Sequence, residues 1–152
     1  MSCNNTRNRL PWWQQTITVY NRYTDPITQV ISWHRHTLDN CFWKLNTQTL
    51  SIGTTVIEST SIICRSPESD EYKEPYEWNA GTVELMQRFF TLDVGDIIIR
   101  GNVDDVIDEY TKGHRFTDIL AKYKSLGAMQ IKSVSNNTGA CRGIPHYAVT
   151  GE

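Results

Sequence analysis

The stretch that decides the fold is LDVGDIIIRG, residues 92–101. Its first half contains Asp93-Val94-Gly95-Asp96, the residues of a tight turn, because Gly accepts a positive φ and Asp hydrogen-bonds to nearby backbone. The β-branched run Ile97–Ile99 suits a buried strand, and Gly101 ends it. We therefore predict a turn that delivers a short strand into the core.

Strand patterns precede this stretch. Thr alternates with apolar residues over 16–20, and the turn residues Thr24-Asp25-Pro26 follow. A second alternating pattern, with a period of two residues, extends over 27–37. Leu38-Asp39-Asn40 predicts another turn, with Phe42 near the start of the next strand.

Further strand patterns lie on both sides of residues 92–101. Residues 49–64 are dense in Thr, Ile, Val and Ser, with Gly53 at a turn or bulge, and they predict a hairpin. Short strands are predicted over 129–134 and 145–149, with turn residues between them.

One helix is predicted, over 117–126. Its apolar residues recur at helical spacing, Thr117 can cap its first turn, and Gly127 suits its end. Residues 65–79 are charged and contain two prolines, which predicts a long exposed loop. The chain is therefore predicted to be mainly β (α+β), a small β-barrel or sandwich-like domain. The apolar helix positions are Phe116, Ile119, Leu120 and Tyr123.

Length and composition predict one folded domain. The chain has 152 residues, the size of a single domain, and 39% of them are hydrophobic. Residues 1–15 are polar and interrupted by Pro11, which predicts an N-terminal arm before a domain over 16–152. No apolar run approaches the roughly 18 residues that cross a bilayer, and no signal-peptide pattern follows Met1. Membrane insertion and secretory export are therefore not expected.

No catalytic, metal or cofactor site is predicted. The glycines form no phosphate-binding motif. His34 and His36 project to one face of a strand, as zinc ligands can, but no third ligand is set by spacing. The scattered cysteines predict reduced thiols, without the base and orienting group of a thiol enzyme. An enzyme is therefore not expected. The cysteines are Cys3, Cys41, Cys64 and Cys141.

A mixture of arginine and aromatic residues near the N-terminus leaves two alternatives open. Such side chains grip single-stranded nucleic acid by stacking, and they are also typical of protein interfaces. The net charge of −2 favours the protein interface. Trp12 and Trp13 offer a similar choice between an exposed contact and a fold back onto the core. The mixture includes Arg7, Arg9, Arg22, Arg35, Tyr20, Tyr23 and Trp33.

Three segments, read in order, resemble a family of small prophage proteins. They are TITVYNRY at 16–23, LDVGDIIIRG at 92–101 and IKSVSNN at 131–137, followed by His146-Tyr147. The family pattern opens with a VYN strand, has GDIIVKG in mid-chain and closes with I-x-SV-x-DN. This chain departs from it at Thr138, where the family has a charged residue. The similar proteins look like head-completion or minor capsid subunits of Firmicutes-type siphophages.

The resemblance implies a β-barrel subunit of a homo-oligomeric ring in a tailed phage. The ring is expected to join the portal or adaptor protein to the tail proteins, as a head-tail connector or stopper, and to retain packaged double-stranded DNA. The protein is then expected in the host cytoplasm before assembly and in the virion neck or tail afterwards. A tail terminator or tail-tube protein is the alternative within the phage. A single-stranded nucleic-acid binding module is the alternative from another class.

Contact residues for such a subunit are sought mainly on the arm and the predicted loop. Ring assembly needs exposed contact segments, and aromatic and Arg side chains are enriched at interfaces. Sparse basic residues are candidates for contact with DNA in the lumen. The candidate partner contacts are Trp12, Trp13, Arg22, Tyr72, Tyr76 and Trp78, and the candidate DNA contacts are Arg65, Lys73 and Arg100.

Overall fold

Strands dominate the part of the chain that the structure describes. The computed structural model describes residues 13–139 and 145–152. The prediction of a mainly β fold is confirmed. The strands are β1 (Gln15–Thr24), β2 (Ile31–Ile52), β3 (Thr55–Pro67), β4 (Ile97–Arg100), β5 (Ala128–Asn136) and β6 (His146–Gly151). The helices are α1 (Pro75–Asn79), α2 (Val83–Arg88) and α3 (Phe116–Tyr123).

The strands pair into a closed, barrel-like ring. Every pairing is antiparallel, and the order is β1-β2-β3-β6-β5-β4, with β4 returning to β1. A closed sheet leaves no free edge within the ring. The predicted barrel or sandwich-like domain is thus observed as a barrel-like sheet.

β4 lies at the centre of the packing. All three isoleucines of Ile97–Ile99 are fully buried. Ile98 packs inside the barrel, opposite Val19 of β1 and Met129 of β5. Ile97 and Ile99 belong to a second cluster, outside the barrel, which includes residues of α3. The predicted buried strand is confirmed, and it is buried on both faces.

α3 covers the outer face of β4. Ile119 of α3 is buried in the outer cluster, and Phe116 packs at its edge, with its ring centroid 5.9 Å from that of Trp33. Thr117 does not cap the helix as predicted, because the helix already begins at Phe116. Instead, the backbone N–H of Arg115 donates to the Asp118 carboxylate at 3.3 Å. The helix ends at Tyr123, three residues before the predicted end.

The predicted loop over 65–79 is wrong in part. β3 continues to Pro67, and α1 occupies the end of the range. α2 follows, so the described residues contain three helices rather than the one predicted. α1 is built around the buried Trp78, whose indole N–H donates to the Phe89 carbonyl oxygen at 2.9 Å. Helices this short show no periodicity that a sequence pattern can detect.

β2 is one strand of 22 residues, not two strands joined by a turn. The predicted turn at 38–40 is wrong, because Asn40 takes its positive φ of 58° inside the strand. The register with β1 shifts at this point, as in a bulge. Asn tolerates the left-handed region, and a bulge bends a strand without reversing it. The strand predicted over 27–37 also begins later, at Ile31.

The predicted arm over 1–15 is described only from Trp13 onwards. Trp13 is buried, with its ring 5.6 Å from that of His146 and 6.3 Å from that of Phe42. Gln15 already belongs to β1. Of the two alternatives for Trp13, the fold back onto the core is the one observed. Trp12 lies outside the described residues.

Asp96 joins the turn before β4 to β1. Its carboxylate accepts from the backbone N–H groups of Arg22 at 2.9 Å and Asp93 at 3.1 Å, and from Asn21 Nδ2 at 2.9 Å. Asn21 in turn holds both backbone groups of Thr91. Burial raises the pKa of Asp96 to about 7, although the three hydrogen bonds favour the charged form. Asp96 therefore ties the turn before β4 to the neighbouring strand β1.

A pH-dependent stability follows from the raised pKa of Asp96. Between about pH 4 and about pH 7 the folded chain retains a proton that the unfolded chain has lost, so the contribution of Asp96 to the free energy of unfolding falls as pH rises. Above the folded pKa this contribution stays constant. Urea unfolding of the native chain and of Asp96→Asn at several pH values measures it. The free energy of unfolding of the native chain, minus that of the variant, should fall from about pH 4 to about pH 7. A difference that does not change with pH would contradict the raised pKa of Asp96.

Candidate assembly surface

A two-stranded ribbon extends beyond the barrel. β3 pairs with β6 from Ile62 onwards, so its residues 55–61 pair only with β2 among the described residues. Residues 46–52 of β2 likewise pair only with β3, since β1 pairs with β2 only as far as Cys41. Seven residue pairs at about 3.3 Å each make a ribbon roughly 23 Å long. We call residues 46–61 the ribbon.

Local sequence explains why the ribbon forms. Seven of its fourteen strand residues are Thr, Ile or Val, whose β-branched side chains favour the extended backbone. The last pair is Ile52 with Thr55, so Gly53 and Thr54 form a two-residue turn. Gly53 has φ 61°, which such turns often require and which Gly adopts without strain. The predicted hairpin is confirmed, with Gly53 in its turn.

The tip of the ribbon is apolar on one face. Leu50 is directly opposite Ile57, and Ile52 is two residues along from Leu50, on the same face. Leu50 is 57% exposed, Ile57 is 48% exposed and Ile52 is 59% exposed. We call these three residues the tip patch. A patch of large aliphatic side chains on a narrow ribbon is typical of a contact surface.

The other face of the ribbon is mostly hydroxylated. It carries Thr47, Thr49 and Thr60, together with Glu58 opposite Thr49, and Val56 near the tip. No charged residue lies between Lys44 and Glu58 in the sequence. Sheet edges in monomeric proteins are commonly protected by charges, prolines or short strands. The ribbon has almost none of this protection, and a two-stranded ribbon is only marginally stable in water by itself.

A groove lies at the far end of β2 from the ribbon. It has a volume of about 420 Å³ and lies between the ends of β1 and β2 and helix α2. Met86 of α2 is buried at the groove, whereas Val83 and Val30 are 57% and 49% exposed. The lining residues are Tyr23, Asp25, Thr28, Val30, Ser32, His34, Val83 and Met86.

His34 and His36 are held by separate neighbours at this end of the barrel. The His34 ring lies edge-on to Trp78 at 5.5 Å, and His36 Nε2 lies 2.9 Å from the Met86 carbonyl oxygen. Burial lowers the pKa of both imidazoles. Within residues 13–139 and 145–152, no group of three or more His, Cys, Asp or Glu side chains is placed to hold a metal ion.

The predicted partner contacts are divided by the structure. Tyr76 is 72% exposed and Arg22 is also exposed, so both remain accessible. Tyr72 is partly buried, stacked on Tyr147 with the ring centroids 4.0 Å apart. Trp13 and Trp78 are not available as partner contacts, contrary to the prediction, because both are buried in the chain's own core.

The predicted DNA contacts lie on two strands and on the segment between β3 and α1. Arg65 of β3 packs over the ring of Phe42, and Lys73 packs over Phe89. Arg100 of β4 donates from Nε to Gln15 Oε1 at 3.0 Å. Each cation has a different neighbour, and these contacts do not join them into one basic surface. DNA contact by these residues stays a prediction.

The buried cysteines are poor candidates for thiolate chemistry. Cys41 and Cys64 are free thiols in the barrel interior. Burial raises the pKa of Cys41 to about 12 and also raises that of Cys64 well above its usual value. A thiolate nucleophile needs the opposite shift. Cys3 and Cys141 lie outside the described residues.

Sequence reasoning identified the hairpin but missed the tip patch. Aromatic and arginine residues are the usual markers of interfaces, and the tip patch contains neither. The available signal was the run of 13 residues over 45–57 that contains no charge and yet lies in a predicted hairpin. A long hairpin without charges lacks the usual protection of an exposed sheet edge, which is typical of a contact surface.

The model of a family of unknown function, DUF6751, matches residues 12–152. The chain belongs to this family. The matched residues include the barrel, the ribbon and all three helices. No curated protein and no solved structure matches the chain. Among the described residues, no helix has the length and apolar character needed to cross a membrane.

The tip patch should contribute little to the stability of the isolated chain. Leu50→Ser/Ile57→Ser is expected to change the free energy of unfolding by less than about 1 kcal/mol, because both side chains are already exposed. The control on the same strand is Ile62→Ser, which alters a buried residue and should cost about 2–5 kcal/mol or more. Urea unfolding at low protein concentration measures both. A cost for the double variant equal to that of Ile62→Ser would place the tip patch in the core.

Proposed function

We propose that this chain is a structural subunit of a homo-oligomeric ring in a tailed phage, at the neck where the head meets the tail. The observation that carries the proposal is the ribbon, which projects from the barrel with an apolar, uncharged tip. A contact between the tip of one copy and a different surface of the next is heterologous. Such contacts close into rings when the rotation between copies allows it.

The phage assignment is supported by where the family-like segments lie. Residues 16–23 form most of β1, residues 92–101 form the turn and β4, and residues 131–137 lie in and just after β5. β1 pairs with β4, and β4 pairs with β5. The three segments are therefore adjacent in one half of the barrel. The resemblance concerns this scaffold, while the ribbon supplies the surface for assembly.

The DNA-retaining role is a further part of the proposal. A ring that joins the portal or adaptor protein to the tail surrounds the path of the packaged double-stranded DNA. The hydroxylated face of the ribbon, with Glu58 as its one charged residue, offers phosphates no cation to bind. Retention would then depend on other residues, with Arg65, Lys73 and Arg100 as the candidates. A tail terminator or tail-tube subunit differs from this proposal in its position along the particle.

A single-stranded nucleic-acid binding module is less well supported. Trp13 and Tyr20 are buried, and the Trp33 indole N–H donates to Glu109 at 3.1 Å. Arg35 is engaged by Asn102, Asp104 and the Val103 carbonyl oxygen. Bases need exposed aromatic faces on which to stack. Most of the members of the arginine-aromatic mixture that the structure describes are instead occupied within the chain.

Immunogold labelling tests the position of the protein. An antibody to this chain is applied to tailed phage particles produced by the genome that encodes it, and the particles are viewed by electron microscopy. Gold at the single vertex where head meets tail is the expected result. Gold along the tail or at its tip would support the tail-protein alternative instead. Unlabelled particles, with the epitope shown to be accessible in free protein, would refute a virion role.

Ribbon truncation tests the mode of assembly. Residues 46–61 are replaced by Asn-Gly, which joins the cross-strand pair Leu45 and Ile62 by a tight two-residue turn. We expect the native chain to form oligomers of defined size in mass photometry as concentration rises, and the truncated chain to remain a folded monomer. The matched control is Thr49→Ser/Glu58→Gln, which alters the other ribbon face and should retain the oligomer. Oligomers of unchanged size after truncation would show that the ribbon is not the contact.

A further inference from the structure

We infer that the tip patch of one copy seats in the groove beside α2 of the next copy. This inference rests on the proposed ring and names the receiving surface, which the ring alone leaves open. The contacting parts are Leu50, Ile52 and Ile57 on one side and the groove near Met86, Val83 and Val30 on the other.

The two surfaces lie at opposite ends of one strand. His34 lines the groove and Leu50 belongs to the tip patch, and both are on β2, sixteen positions apart. At about 3.3 Å per residue, this is roughly 50 Å along the strand. The tip patch of a chain therefore does not cover that chain's own groove. A second copy is the occupant that brings the two surfaces together, and the contact is head-to-tail.

The groove has the volume and the apolar walls to receive the tip patch. Its volume of about 420 Å³ corresponds to on the order of ten waters, at about 30 Å³ each. Its walls include exposed aliphatic side chains, Val30 and Val83, and Ile27 is 90% exposed on the adjoining turn. Large aliphatic groups that are open to water on both surfaces gain from mutual burial.

The charges of the two surfaces also match. The tip patch is uncharged, and so is the chain around it from Leu45 to Ile57. Of the groove lining residues, Asp25 is the only carboxylate, and its Oδ1 already accepts from the backbone N–H groups of Ile27 at 2.8 Å and Thr28 at 3.0 Å. The imidazole of His34 is turned against Trp78. The uncharged tip patch therefore meets one carboxylate in the groove, and that carboxylate already has hydrogen-bond donors within its own chain.

Disulfide trapping between copies tests this contact. The variant Ile52→Cys/Val83→Cys is made in a background with Cys3→Ser and Cys141→Ser, while Cys41 and Cys64 are kept because they are buried. After mild oxidation of the assembled protein, a non-reducing gel should show a ladder of dimers, trimers and larger species. An equal mixture of the two single variants, Ile52→Cys and Val83→Cys, should give dimers only, because each copy then has one new thiol.

Two controls make the result decisive. Val83→Cys is replaced in one control by Asp104→Cys, at a side chain that is 98% exposed and does not line the groove. That pair should cross-link at least tenfold more slowly. The reduced Ile52→Cys/Val83→Cys protein should form oligomers of the same size as the native chain.

The outcomes separate this inference from the proposed ring. Equally fast cross-linking in the Ile52→Cys/Asp104→Cys control would indicate random collision, and homodimers of Ile52→Cys alone would indicate tip-to-tip contact. Either result overturns the groove contact, as does an intact oligomer that forms no ladder. Ribbon-dependent oligomers would still support the ring in those cases. A chain that stays monomeric at all concentrations and forms no ladder would overturn both.

Discussion

The burial of β4 on both faces is the constraint on which the rest of the structure depends. A strand of three consecutive isoleucines has no polar face to offer to water, so it needs cover on two sides. The barrel closes around Ile98, and the segment from Val103 to α3 covers Ile97 and Ile99. Each side of this arrangement requires the other, because removal of either layer would expose large aliphatic side chains. The Asp96 hydrogen bonds then fix where β4 begins relative to β1.

The same constraint explains why the ribbon extends beyond the barrel. The barrel interior is filled by residues that reach as far as Ile62 on β3, beside the last residues of β6. β2 and β3 continue past this point, where they pair only with each other among the described strands. In a monomer this extension would be an edge open to aggregation. As an assembly element it is a preformed contact that needs no rearrangement of the barrel.

The sequence allowed the main features of the fold to be predicted where local chemistry and tertiary structure agree. The turn and strand at 92–101, the hairpin around Gly53 and the helix near 117–126 all follow from local patterns. Errors arose where tertiary contacts decide. Asn40 carries a turn-like backbone but lies within paired strands, and Trp78 makes a short helix where the prolines and charges indicated a loop. The exposure of Leu50 could not be predicted from local patterns, because it depends on where the barrel ends, although the uncharged run over 45–57 was a signal of an unusual hairpin.

Asn40 also separates the two halves of β2, one along β1 and the other along β3. Its left-handed backbone lies at a bulge, which bends a strand without ending it. One continuous strand therefore belongs to the barrel at one end and to the ribbon at the other, so the ribbon is anchored by the barrel's own backbone and needs no separate linker.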